Sequence, residues 1–145
     1  LVGSEMCIRD RGAMAGRTPN DRYIMRLSET YLLRAEAYFH KGDLANAAND
    51  INVVRGRAQA KPVQPGQISL DYILDERMRE LVVEEPRRKT LVRLNKLYER
   101  TMKYNFRVKD NMEPYHELWP IPQTAIDANT GAKLLQNPGY PGAAE

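Results

Sequence analysis

Apolar side chains recur at intervals of three and four from Asp21 onward. Ile24, Leu27, Tyr31, Ala35 and Tyr38 make one stripe, the spacing of an amphipathic helix. Gly42 supplies a stop, because glycine enters the left-handed region without a Cβ clash. Asp43 then caps a second helix, whose inward face is Leu44, Ala47, Ala48, Ile51 and Val54. So short a link makes the pair antiparallel, an αα-hairpin. Residues 59 to 68 hold two prolines and Gly66 and read as a loop. Ser69 or Asp71 caps the next helix, with Ile73, Leu74, Arg77, Met78 and Leu81 on its stripe and Pro86 ending or kinking it. A further helix is predicted from about Arg88 to Tyr104, with Leu91, Leu94, Leu97, Tyr98 and Met102 inward.

After Asn105 the helical period stops. Strand-like alternation is confined to Tyr115–Trp119, so the chain is predicted to be mostly α. Trp119-Pro120-Ile121-Pro122-Gln123 is a stiff extended strip, because each proline removes a donor, fixes its own φ and pushes the preceding residue to extended geometry. Asn137-Pro138-Gly139 is a turn signal.

At 145 residues the chain has the length of one ordinary domain. Its 42% hydrophobic and 28% charged fractions suit a globular protein, and no apolar run reaches the ~18 residues of a membrane helix. The net charge of +3 comes from 22 basic and 19 acidic residues, mixed rather than segregated, so no nucleic-acid partner is expected. Cys7 is the only cysteine, which excludes an internal disulfide. Met6 stands before it where a lipoprotein signal needs a small residue, and no basic start or apolar stretch precedes it. Ser4-Glu5-Met6-Cys7-Ile8-Arg9-Asp10-Arg11 resembles translated sequencing adapter; the alternative is a native linker. Residues 1–20 are expected to be a non-native or disordered lead, with 1–11 as the adapter-like part and 12–20 a linker.

Little in the chain points to chemistry. Glu76 and Glu80 lie four apart on one helical face, but Arg77, Arg79, Arg87 and Arg88 crowd them and would keep them ionised. A glycosidase acid needs the opposite, an apolar pocket. Ion pairs stapling that helix to its neighbours are expected instead. His40 and His116 have no ligands at metal spacing, and no phosphate loop or nucleophile elbow is present, so no enzyme activity, metal or cofactor is expected. Tyr115 and Trp119 are the candidate glycan-binding residues, since sugar rings stack on such faces. The alternative has Trp119 anchoring the proline strip onto the helices through its indole N–H.

Two resemblances organise these readings. Ala35, Tyr38, Gly42, Ala47 and Ile51 match the small, aromatic and apolar positions of a tetratricopeptide repeat, although an ordinary amphipathic hairpin carries the same stripes. Three blocks resemble, in order, the SusD/RagB family. They are Tyr31-Leu32-Leu33-Arg34-Ala35-Glu36-Ala37-Tyr38 with Arg55-Gly56-Arg57-Ala58; Ile73-Leu74-Asp75-Glu76-Arg77-Met78-Arg79-Glu80-Leu81; and the Pro-Ile-Pro-Gln strip with Gln136-Asn137-Pro138-Gly139-Tyr140. Many members follow the second block with Arg-Trp-Phe-Asp-Leu-x-Arg-Trp. Here Arg87, Leu91 and Arg93 remain of that stretch, without the tryptophans or the aspartate.

The resemblance implies that residues 21–145 are the C-terminal part of a SusD-like fold, mostly α, with a tetratricopeptide-like hairpin and an irregular proline-rich end. It implies non-catalytic capture of oligosaccharide or another nutrient at the cell surface. Delivery would be to a TonB-dependent, SusC-like transporter in the outer membrane, with attachment only through a lipid anchor outside this stretch. The alternative function is a tetratricopeptide-type scaffold binding other proteins.

Overall fold

A computed structural model describes residues 23–143. The adapter-like string, Cys7 and the linker at 12–20 lie outside the described residues. The chain divides into two compact units at Glu84 and Glu85. Among the described residues the secondary structure is helical, and the one extended pairing is an isolated bridge between Gln136 and Ala143.

In the first unit α1 (Leu27–His40) and α2 (Leu44–Arg57) form the expected hairpin. It is antiparallel, since Arg34 grips Asp50 with both forks at 2.7 Å across the pair. Gly42 (φ +78°) sits where a Schellman turn needs a left-handed residue. Its N–H reaches the Phe39 carbonyl and that of Asp43 the Tyr38 carbonyl, both at 2.9 Å. Asp43 caps α2 by accepting from the Asn46 N–H at 3.1 Å. Leu32 and Ala35 pack with Ala47, Ala48, Ile51 and Val54, all buried. Full burial of a side chain such as Ile51 is worth roughly 1.5–3 kcal/mol. Val63, Ile68 and Ile73 extend this core. Asn52 ties the loop down, donating to the Val63 carbonyl (3.0 Å) and accepting its N–H (2.8 Å). Ser69 caps α3 (Leu70–Glu80) through the Tyr72 N–H.

The ends of these helices depart from the periodic pattern. The first helix begins at Leu27, not Asp21, and Ile24 and Leu27 stay exposed. Arg26 is extended instead, with its guanidinium on Glu84 (2.6 Å) and on the side chain (3.1 Å) and carbonyl (2.9 Å) of Glu80. α3 stops at Glu80, well before Pro86, and Arg26 supplies a donor to its last carbonyl. Val83 then takes φ +70°.

In the second unit the single helix expected from Arg88 to Tyr104 is two, α4 (Arg87–Arg93) and α5 (Leu97–Tyr104). Asn95 breaks it at φ +52°, with the Asn95 N–H on Val92 (3.0 Å) and the Lys96 N–H on Leu91 (2.8 Å). This is a second Schellman turn, with Asn in place of Gly. Leu91 and Leu97, on either side of the break, are both buried. The alternation at Tyr115–Trp119 does not make a strand. Pro114–Glu117 is a 3₁₀ turn, started by the fixed φ of Pro114 and closed by a capping box between Glu113 and His116. A short α6 (Gln123–Ala128) follows the proline strip.

Candidate functional site

The carboxylates of the second sequence block sit in a lattice of arginines within the first unit. Glu76 accepts from Arg55 at 2.7 Å and Arg79 at 2.6 Å, and Glu80 from Arg57 at 2.8 Å and Arg26 at 3.1 Å. Arg77, almost wholly buried, faces Glu29 at 3.6 Å. These contacts join α1 and α2 to α3. Ion pairing raises the pKa of Arg26, chiefly through its bond to Glu84, and that of Arg34 through Asp50, so both cations are held more firmly charged. Guanidinium groups around Glu76 and Glu80 are the reverse of what a general acid requires.

The second unit holds the more open feature. The proline strip has one residue, Ile121, with both a free N–H and a free carbonyl between two prolines that lack donors. A single side-chain amide meets both. Gln136 accepts the Ile121 N–H at 2.7 Å and donates to its carbonyl at 2.8 Å, as a neighbouring strand would. Asn137 donates to the Trp119 carbonyl at 2.7 Å and the Tyr140 hydroxyl to that of Leu118 at 2.8 Å. The last sequence block therefore holds the strip by its backbone. Asn137-Pro138-Gly139-Tyr140 closes on a 3.3 Å bond with Gly139 at φ +87°, the type II pattern. A Cβ on Gly139 would run into the Tyr115 ring.

This clamp leaves Trp119 70% exposed. The reading of Trp119 as an indole anchor is corrected: the backbone is fixed and the ring stands out. Arg88 backs it, with its guanidinium 4.7 Å from the ring centre and Nη2 donating to the His116 carbonyl at 2.7 Å. Around this pair lies a shallow cavity of ≈ 350 Å³ whose lining includes Arg88, Val108, Asn111, His116, Trp119 and Tyr140. Its volume is at the lower end for small-ligand sites.

Of the two sequence candidates, Trp119 lines this cavity. Tyr115 does not; its ring packs over Gly139, 5.0 Å from Tyr140 in an edge-on contact. Arg88, His116 and Tyr140 also line the cavity, and no pattern in the sequence marks them as site residues. The stretch that carries Arg88 departs from the family pattern, and the Tyr140 signal was absorbed by its turn. No helix among the described residues is long and apolar enough to cross a membrane.

The first unit thus carries an arginine-stapled helical hairpin and the second a clamped Trp-Pro-Ile-Pro strip. The SusD family model matches residues 7–140, and the chain belongs to that family. It is 36% identical over 124 residues to the starch-binding protein SusD of Bacteroides thetaiotaomicron, a match covering 81% of this chain and 21% of that protein. A SusD-like protein of Formosa agariphila is 34% identical over 119 residues, covering 76% of this chain and 23% of that protein. The chain thus spans about a fifth of the length of the curated relatives it matches. No solved structure gave a significant match.

Proposed function

We propose that this chain serves, within a SusD-type surface lipoprotein, in the non-catalytic capture of oligosaccharide and its delivery to a partner TonB-dependent transporter of the outer membrane. Membership of the family and likeness to a protein named for starch binding support the ligand class. The observation that carries a role for this part of the chain is the exposed Trp119 ring, held over Arg88 at the edge of a cavity while its backbone is clamped. A stacking platform is useful when it is rigid, because no side-chain entropy is then lost on binding. Tyr115 lies beside this platform as part of its support.

Native gel electrophoresis through soluble polysaccharides tests the proposal. Starch and a panel of other glucans, galactans and uronans serve as probes. Retardation by at least one, lost in Trp119→Ala and without release of reducing ends, is expected. Retardation unchanged in Trp119→Ala would remove the site. Retardation by none would remove the function.

A further inference from the structure

The class of glycan follows from the charge around that cavity, an inference that rests on the capture reading above. From Arg87 to Lys109 the chain carries nine lysines and arginines and one acid, Glu99. The even mixture of charge over the whole chain therefore fails locally. Arg87 pairs with Glu85 at 3.4 Å and Lys96 takes Glu99 at 2.5 Å, and the other cations of the run outnumber the nearby acids. Other cations lie on aromatic faces. Arg100 and Lys103 are 4.8 and 5.0 Å from the Tyr104 ring centre, and Arg107 is 5.8 Å from that of Phe106. Phe106 is 75% exposed and Tyr104 54%, so large rings are kept in water with cations against them. Val108 continues this surface into the cavity beside Arg88 and Trp119, and no residue lining the cavity is Asp or Glu.

Of the four acids between Lys109 and Lys133, three have other tasks. Glu117 accepts the Tyr98 N–H at 3.1 Å, Glu113 caps the 3₁₀ turn with His116, and Asp127 holds Gln123 at 2.7 Å. Asp110 lies in the exposed turn Lys109–Asn111. A neutral sugar gains nothing from such an excess of positive charge, whereas an anionic one is drawn in and paired.

We propose that the ligand of this site is an anionic oligosaccharide, one bearing uronate carboxylates or sulfate groups. One sugar ring stacks on Trp119 while its charged groups meet Arg88 and the ledge formed by Arg107 and Lys109. A concave site with an aromatic wall favours a sugar ring over the flat face of a membrane, which an amphipathic ledge without a cavity would suit.

Calorimetry on the intact chain decides this, with tetragalacturonate, a heparin tetrasaccharide and neutral maltotetraose as probes, at low and high salt. Vesicles of phosphatidylglycerol form a further arm. At least one anionic probe should bind roughly tenfold more tightly than maltotetraose, and the margin should shrink at high salt. The double variant Arg107→Ser, Lys109→Ser, both at exposed positions, should lose most of that margin while keeping its circular dichroism. Equal, salt-insensitive binding of maltotetraose would overturn the anionic class and leave glycan capture standing. Binding of vesicles but of no oligosaccharide would overturn both in favour of a membrane surface, and binding of nothing would overturn both outright.

Discussion

Among the described residues, three other than glycine, Gln59, Val83 and Asn95, occupy left-handed backbone. Asn tolerates it through its short polar side chain, but a β-branched valine does not. Val83 is 91% exposed, so its side chain buries little in return for φ +70°. Val83→Gly is therefore expected to raise stability by about 0.5–1 kcal/mol, the relief of strain less the added freedom of the unfolded chain; the urea midpoint measures it. Gly139 is the reverse case. Its φ of +87° and the Tyr115 ring against it leave no room for a Cβ. Gly139→Ala is expected to cost about 1–3 kcal/mol and to loosen the turn that carries Tyr140, which a fall in thermal midpoint and in tyrosine near-ultraviolet dichroism would report.

At the scale of elements, packing is set by apolar stripes and orientation by charged staples. Arg55 and Glu76 are both largely buried where α2 meets α3, 2.7 Å apart. Arg55→Ala leaves Glu76 with only the more exposed Arg79, and is expected to cost about 2 kcal/mol, less than the usual figure for a broken buried pair because that partner remains. The start of α2 should respond to acid. Asp43 has its pKa lowered by bonds from the Asn46 side chain and N–H, so its contribution is present above the ordinary carboxylate pKa. It fades as pH falls below about 4. Asp43→Asn keeps the cap and should remove that part of the acid sensitivity in a pH series of thermal midpoints. The hairpin, its caps and its core were legible because each rests on local rules: a 3.6 period, Gly42, Asp43 and Ser69. The ends of α1 and α3 were not, because they meet in a contact between Arg26 and Glu80, fifty-four residues apart, which no local rule signals. The break at Asn95 was legible in principle, since Asn is the usual substitute for glycine in that turn, but the continuous stripe from Leu91 to Met102 masked it.

At the scale of the whole molecule, family and mostly α class could be read from ordered sequence blocks, while the candidate site could be read only in part. Trp119 was singled out from its residue type. Its partnership with Arg88 needed the chain to fold back over thirty residues, and no period signals that. The basic run from Arg87 to Lys109 was visible in the sequence but hidden by the chain-wide average. Exposed large apolar residues, among them Ile24, Leu27, Val53, Phe106 and Trp119, also give the chain much apolar surface in water. Concentration-dependent self-association is expected in light scattering, weakening as salt is lowered; a strictly monomeric, sharply and reversibly unfolding chain would contradict this.

Trp119 is the sole tryptophan of the chain, so its emission reports on the proposed platform without interference. The most direct test of glycan capture at this cavity is a fluorescence titration of the intact chain with the oligosaccharides that calorimetry shows to bind. A saturable change in Trp119 emission, with the same midpoint as the heat of binding, is the expected result. Binding heat with unchanged emission would place capture elsewhere and contradict the account.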